Sequence, residues 1–366
     1  MIHPKRQSIF SLFVLLLLGT SATGQPLPSQ VPVPSSPDGM VENDGARSGR
    51  AAIIATADAF EPLQTLIVAR SGNVLIEEGF DGHLPSQPTN IKSASKSILS
   101  AMVGIAIDKG LIEGVDQPIA DFLSDSFPEN PDPRLNEITI GHLLSMQAGL
   151  QRTSGGNYGR WIANPNWVSA ALAQPFVAEP GTGMLYSTGS SHLLSAILTR
   201  VGGRDTMALA NEWLSMDGAF RIADWERDPQ GIPLGGNQMA VSPKALFAFG
   251  ELYRNGGEFD GETVVPAAWI TQSWTARTNS VFSGERYGYN WFIRNMDGYD
   301  CFYAWGYGGQ MLYILPELDM TVVITSDTDQ PSGRSGYKDD LHAFVEDEII
   351  PFVLDQDTSG DAVRNR

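Results

Sequence analysis

From Ile91 the sequence reads Ile91-Lys92-Ser93-Ala94-Ser95-Lys96-Ser97-Ile98-Leu99-Ser100 and runs on into Ala101-Met102-Val103-Gly104-Ile105-Ala106-Ile107. Ile98, Met102 and Ile105 recur at i, i+4 and i+7, and Leu99, Val103 and Ala106 fill the adjoining rows, which predicts a helix apolar most of the way round. Such a helix must be packed on nearly every side, so the rest of the chain has to be built around it. A lysine leading into it needs a chemical reason. Ser93 precedes Lys96 by three residues and shares its helical face at the first turn. In this S-x-x-K spacing, a lysine whose pKa burial has lowered can take the proton of the serine and make it a nucleophile. Free N–H groups at the helix start also favour a developing oxyanion. The spacing also arises by chance: Ser335-Gly336-Tyr337-Lys338 repeats it beside Asp339 and Asp340, where the lysine is expected to stay solvated and protonated.

Strand signals lie at both ends of the chain. Leu63–Ala69 and Val74–Gly79 flank Ser71-Gly72-Asn73 as a hairpin. Tyr287–Ile293, Cys301–Ala304, Met311–Leu315 and Thr321–Thr325 are rich in β-branched and aromatic residues. Between them lie helical patterns: Thr139 capping a segment that stops at Gly149, then Asn166–Ala173, Ser190–Val201 and Pro243–Arg254. Pro266 reads as N1 of a further helix, and an amphipathic helix over 339–350 closes the chain. The expectation is an α/β (α+β) fold: one antiparallel sheet formed by the N- and C-terminal parts and flanked by helices, with a helical domain inserted between. The boundaries expected are 47–110 and 255–366 for the sheet domain and 111–254 for the helical domain.

Residues 1–24 carry His3, Lys5 and Arg6, an apolar run from Ile9 to Leu18 and small residues ending at Gly24, the pattern of a signal peptide. The run is short for a membrane span, so a secreted or periplasmic protein without stable membrane insertion is expected once it is cleaved. A proline-rich leader follows over 25–46. The net charge of −18 gives no support to nucleic-acid binding. Cys301 is the one cysteine, which excludes an intramolecular disulfide and a cysteine metal cluster. The five histidines form no His-Glu-x-x-His, so zinc hydrolysis lacks ligands, and His142 and His192 fall in helical patterns as structural residues. No cofactor is expected.

Four segments in order resemble the serine β-lactamase and penicillin-binding superfamily over nearly the whole mature chain. Ser93-Ala94-Ser95-Lys96 is similar to its first motif in the S-x-S-K form of class C enzymes and related esterases. Ile138–Leu150 resembles its T-I-x-x-L-L segment, Tyr186-Ser187-Thr188 takes the place of Tyr-x-Asn, and Ala304–Gln310 the place of the Lys-Thr-Gly strand. The runs at 266–269 and 303–310 look most like the branch of 6-aminohexanoate-dimer hydrolase and similar hydrolases. The resemblance implies Ser93 as nucleophile, Lys96 as base and Tyr186 in the proton relay. It also implies an oxyanion hole of the Ser93 and Tyr307 backbone N–H groups, with Gly306 and Ala304 beside it on the strand.

The implied reaction is hydrolysis of a small-molecule ester or amide by a monomer or homodimer. Tyr158, Trp161 and Trp167 lie in the segment expected to rim the cleft and are candidate substrate contacts, aromatic packing being the competing role. Thr188 stands where the family has Asn, and Ala304 where it has Lys or His. A β-lactam carboxylate would lose a partner at Ala304, which favours esters or uncharged amides over penicillins. A cell-wall D-Ala peptidase or weak β-lactamase, and a catalytically silent ligand-binding protein, remain as alternatives.

Overall fold

The computed structural model describes residues 44–356 apart from residue 334; the expected signal peptide and nearly all of the leader lie outside the described residues. The chain opens with α1 (Asp44–Asp58), then the hairpin β1 (Leu63–Arg70) and β2 (Asn73–Gly79), β3 (Thr89–Asn90) and α2 (Ser95–Asp108). Next come α3 (Ala120–Leu123), α4 (Ile140–Leu144), α5 (Tyr158–Ile162), α6 (Trp167–Leu172), α7 (Thr188–Gly202) and α8 (Thr206–Trp213). Strands β4 (Ile222–Trp225) and β5 (Met239–Val241) lead to α9 (Pro243–Arg254), the small pair β6 (Glu258–Phe259) and β7 (Glu262–Thr263), and α10 (Ala267–Ser273). The last part holds β8 (Thr278–Asn279), β9 (Arg286–Tyr287), β10 (Phe292–Met296), β11 (Tyr299–Gly306), β12 (Gln310–Leu315), β13 (Met320–Ser326) and α11 (Tyr337–Phe344).

The eight-stranded sheet has the order β2-β1-β13-β12-β11-β10-β9-β8, and every pair is antiparallel. The first hairpin thus joins the last strands through β1 and β13, with Val68 opposite Val322. All residues of β12 and β13 are buried, so both faces of the sheet are covered. Alternate side chains supply two cores. Leu312, Ile314 and Val323 face α2 and α9, while Met311, Tyr313, Val322 and Ile324 join Ile53 and Ala57 of α1 and Leu341 and Phe344 of α11.

Helix α2 is buried from Ser95 to Ala106, as its all-round apolarity requires. Each buried Ile or Leu there contributes about 1.5–3 kcal/mol. Gly104 lets α10 close in: a Cβ at this position would stand 2.2 Å from Cγ of Trp269. A larger residue would push α10 away.

Several elements differ from the sequence reading. Helix α1, which pattern alone did not reveal, begins at Asp44, inside the stretch read as leader. Helix α9 packs on the sheet, since a Cβ at Gly250 would meet Leu312 and Thr321 within 3 Å. The helical insert therefore ends before Pro243 rather than at 254. Helix α4 stops at Leu144 because Met146 turns to φ +62°. The strand expected over 287–293 is broken at Asn290 (φ +62°) and at Gly288, whose Cβ would lie 2.1 Å from the Ser273 carbonyl. Pro266 is the N-cap of α10 rather than its first residue. The closing helix starts at Tyr337 and passes into a π turn at Val345–Ile349.

Candidate active site

Lys92–Ala94 form a 3₁₀ turn that runs directly into α2. Lys92 adopts φ +49°, a strained value for a residue with a side chain, and its N–H donates to Asn90 Oδ1 at 2.9 Å. The kink holds the half-buried Ser93 at the mouth of α2. One turn on, Lys96 is 1% exposed, with Nζ 3.0 Å from Ser93 Oγ and donating to the Gly236 carbonyl at 2.5 Å. No carboxylate lies within 4 Å of it among the described residues, and burial brings its pKa down to about 7.

Gly236 is a site residue that sequence reasoning missed. It sits at φ +78°, and a Cβ would stand 2.5 Å from Lys96 Cγ and 2.8 Å from Ser191 Cβ. Glycine lets the carbonyl approach the lysine this closely. The next residue, Asn237, donates from Nδ2 to the hydroxyl of Tyr158 at 3.2 Å.

Tyr186 enters from the helical layer, immediately before Ser187, the N-cap of α7. Lys96 Nζ lies 5.0 Å from the centre of its ring. Burial pushes the phenol up to about 12, and the neighbouring Ser93 hydroxyl opposes that rise. At neutral pH the lysine can therefore shed its proton while the tyrosine keeps its own. Ser93 and Lys96, read from one motif, and Tyr186, read from another, share one cluster.

The third wall is the end of β11. A Cβ on Gly306 would lie 2.2 Å from the Ile91 carbonyl, so only glycine lets the strand approach the chain just before Ser93. That approach carries the Tyr307 amide to the mouth of α2. The Tyr307 N–H meets no backbone acceptor among the described residues, while its side chain is 51% exposed. Gly308 and Gly309 turn back at φ +87° and +95°.

The remaining candidates separate. Trp161 is 2% exposed and donates from Nε1 to the Trp167 carbonyl at 2.9 Å, packing with Trp167 and His192. It fills the helical core, as does Trp167, and neither lines a cleft. Thr188 is 4% exposed, with Oγ1 3.0 Å from Ser154 Oγ, so it pins the start of α7 instead of facing a substrate. Ala304 is buried opposite Leu312 and offers no polar group. Tyr158 is half-buried and reaches the site through Asn237.

The second S-x-x-K also departs from expectation. Lys338 is buried, paired with Asp339 at 3.1 Å and 5.5 Å from the centre of the Trp305 ring. Ser335 Oγ donates to the Pro331 carbonyl at 2.5 Å and makes no bond to Lys338. His142 closes a capping box with Thr139, and His192 is buried against Asp228 at 3.0 Å.

An antiparallel sheet split across the chain, a helical layer and a serine–lysine–tyrosine cluster at their junction define a β-lactamase-like fold. The sequence profile of the family described as Beta-lactamase matches residues 56–346, and the chain belongs to that family. It is 24% identical over 305 residues to a 6-aminohexanoate-dimer hydrolase of Paenarthrobacter ureafaciens, covering 73% of each chain. Its fold is similar to that of an octameric penicillin-binding protein homologue from Pyrococcus abyssi (TM-score 0.62, 19% identity, 82% of this chain and 75% of that one). It is also similar to a family VIII carboxylesterase (TM-score 0.61, 18% identity, 77% and 90%).

Proposed function

We propose that this Beta-lactamase family protein is a serine hydrolase that cleaves a small ester or amide through an acyl-enzyme on Ser93. The observation that carries the reading is the Lys96 Nζ to Ser93 Oγ distance of 3.0 Å at a lysine that burial holds near pKa 7. Neutral Lys96 takes the hydroxyl proton as Ser93 Oγ bonds to the carbonyl carbon. The carbonyl oxygen, now negative, is received by the Ser93 and Tyr307 N–H groups. Tyr186 gives its proton to the departing oxygen or nitrogen and is reprotonated from Lys96, which leaves the acyl group on Ser93. Water then attacks by the same relay in reverse, releasing the acid and restoring the serine.

Ala304 puts no cation on β11, which supports esters and amides over penicillins as substrates. The apolar run and small residues of 1–24 support export to the periplasm or medium, with the mature protein acting as a monomer or homodimer.

The test is intact-mass labelling of the mature protein with a fluorophosphonate and, separately, a penicillin, with peptide mapping of the adduct. Phosphonate on Ser93 with no lasting penicillin adduct is expected. A stable penicillin adduct would move the protein to the cell-wall peptidases. No adduct from either reagent would leave a ligand-binding protein.

A further inference from the structure

The wall of the site next to Tyr186 carries a cation that no step above uses. The chain over 152–154 runs beside the start of α7: Thr153 N–H donates to Ser187 Oγ at 3.1 Å, and Ser154 Oγ accepts from Thr188 N–H at 2.8 Å. These bonds fasten Arg152 close to Tyr186, and Asn157 Nδ2 holds its carbonyl at 3.0 Å. The guanidinium carbon of Arg152 lies 5.3 Å from the centre of the Phe282 ring. That ring in turn meets Tyr186 edge-on, with 5.9 Å between centroids.

Among the described residues no carboxylate lies within 4 Å of this half-buried guanidinium, although the chain carries a formal charge of −18. Arg134, Arg200, Arg254 and Arg294 are all ion-paired. Gly155, at φ +64°, leaves room for Arg152, since a Cβ there would stand 3.1 Å from Nη2. Phe282 is 52% exposed and gains little from burial of its own. A guanidinium backed by an aromatic ring and partly removed from water is placed to take a carboxylate through two parallel hydrogen bonds.

We propose that Arg152, backed by Phe282, binds a carboxylate carried by the leaving group of the substrate. Tyr186, on the leaving-group side of the proposed reaction, stands against the same ring. The substrate is then an ester or amide whose alcohol or amine half ends in a carboxylate several bonds from the scissile carbonyl. This rests on the Ser93 reading and narrows its substrate class.

The experiment compares kcat/KM for 4-acetoxybenzoate with that for its methyl ester, two acetates whose leaving phenols differ in charge, using the full chain and its Arg152→Met and Arg152→Lys variants. Arg152→Met should lower the anionic-to-neutral ratio at least about tenfold through KM for the anionic ester, and Arg152→Lys should restore part of it. A ratio unmoved by Arg152→Met, or equal losses on both esters, would overturn the proposal. If the wild type takes phosphonate on Ser93 but ignores both acetates, protection against that labelling decides. 4-Hydroxybenzoate should slow labelling of the wild type and not of Arg152→Met, and equal or absent protection refutes the subsite. A wild type that neither labels nor hydrolyses removes the serine-hydrolase reading, and this inference with it.

Discussion

Lys96 Nζ stands 3.0 Å from Ser93 Oγ on the first turns of a helix that water scarcely reaches. With its pKa near 7, the lysine is neutral in half the molecules at neutral pH, and only that form can take the serine proton. kcat/KM for a neutral ester should therefore rise with pH through an apparent pKa close to 7. Lys96→Ala should cost about 10²-fold or more at pH 8, and Lys338→Ala should cost far less, because Ser335 is bonded elsewhere. A pH–rate series on the three proteins checks this, and the reverse order would move the base to the second motif.

The same shift links folding to pH. An unfolded lysine keeps its proton up to about pH 10.5, whereas the folded one gives it up near 7, so unfolding takes up a proton between those values. Stability relative to Lys96→Met should rise with pH from about 7 to 10.5 and be level below that window. Urea titrations of both proteins at pH 6, 8 and 10 measure it; a difference that stays level from pH 6 to pH 10 would mean that the buried lysine stays charged.

Gly236→Ala tests how the lysine is held. A methyl group at φ +78°, 2.5 Å from Lys96 Cγ, must displace either the lysine or the loop. Backbone strain and overpacking together should cost about 1–3 kcal/mol in urea titrations. With the 2.5 Å bond to the Gly236 carbonyl broken, kcat/KM should fall at least about tenfold and its acid limb should move. An unmoved limb would show that this carbonyl does not set the lysine's proton affinity.

What could be read from the sequence was local or periodic. Ser93 and Lys96 lie on one turn, and the apolar run after them repeats with the helical period, so the motif and its helix were legible together. β13 announced itself by its β-branched run and β12 by an unbroken apolar run from Met311 to Leu315, and both are buried on both faces. Gly236 reaches Lys96 across 140 positions, and Arg152 meets Phe282 across 130, with no period to mark either contact. Trp161 and Thr188 show the converse: residue type and motif position suggested a cleft, but the indole and the hydroxyl are spent on Trp167 and Ser154. Only the packing of the helical layer decides which side of a segment is wet. Helix α1 escaped because its described side chains bury little more than Ile53 and Ala57, too thin an apolar stripe to stand out.

Gln310 shows how a residue away from the serine can govern the reaction. Its side chain is fully buried and imitates a strand partner of Ser326, with Nε2 donating to the Ser326 carbonyl at 2.7 Å and Oε1 accepting from its N–H at 3.2 Å. Ser326 Oγ donates to the Gly309 carbonyl at 3.2 Å and lies 3.0 Å from the Tyr337 hydroxyl. The turn carrying the Tyr307 amide is thus tied to both β13 and α11. Gln310→Leu keeps the bulk but strands two buried backbone groups, a loss of about 2–4 kcal/mol in urea titrations. If the Tyr307 amide receives the oxyanion, loosening its turn should lower kcat about 10²-fold while KM changes only a few-fold, because that contact strengthens as charge develops. The Lys96 limb of the pH profile should stay near 7, since the lysine is held from the opposite wall. A variant that loses stability but keeps its kcat would leave Gln310 a purely structural clamp and would take the oxyanion role away from Tyr307.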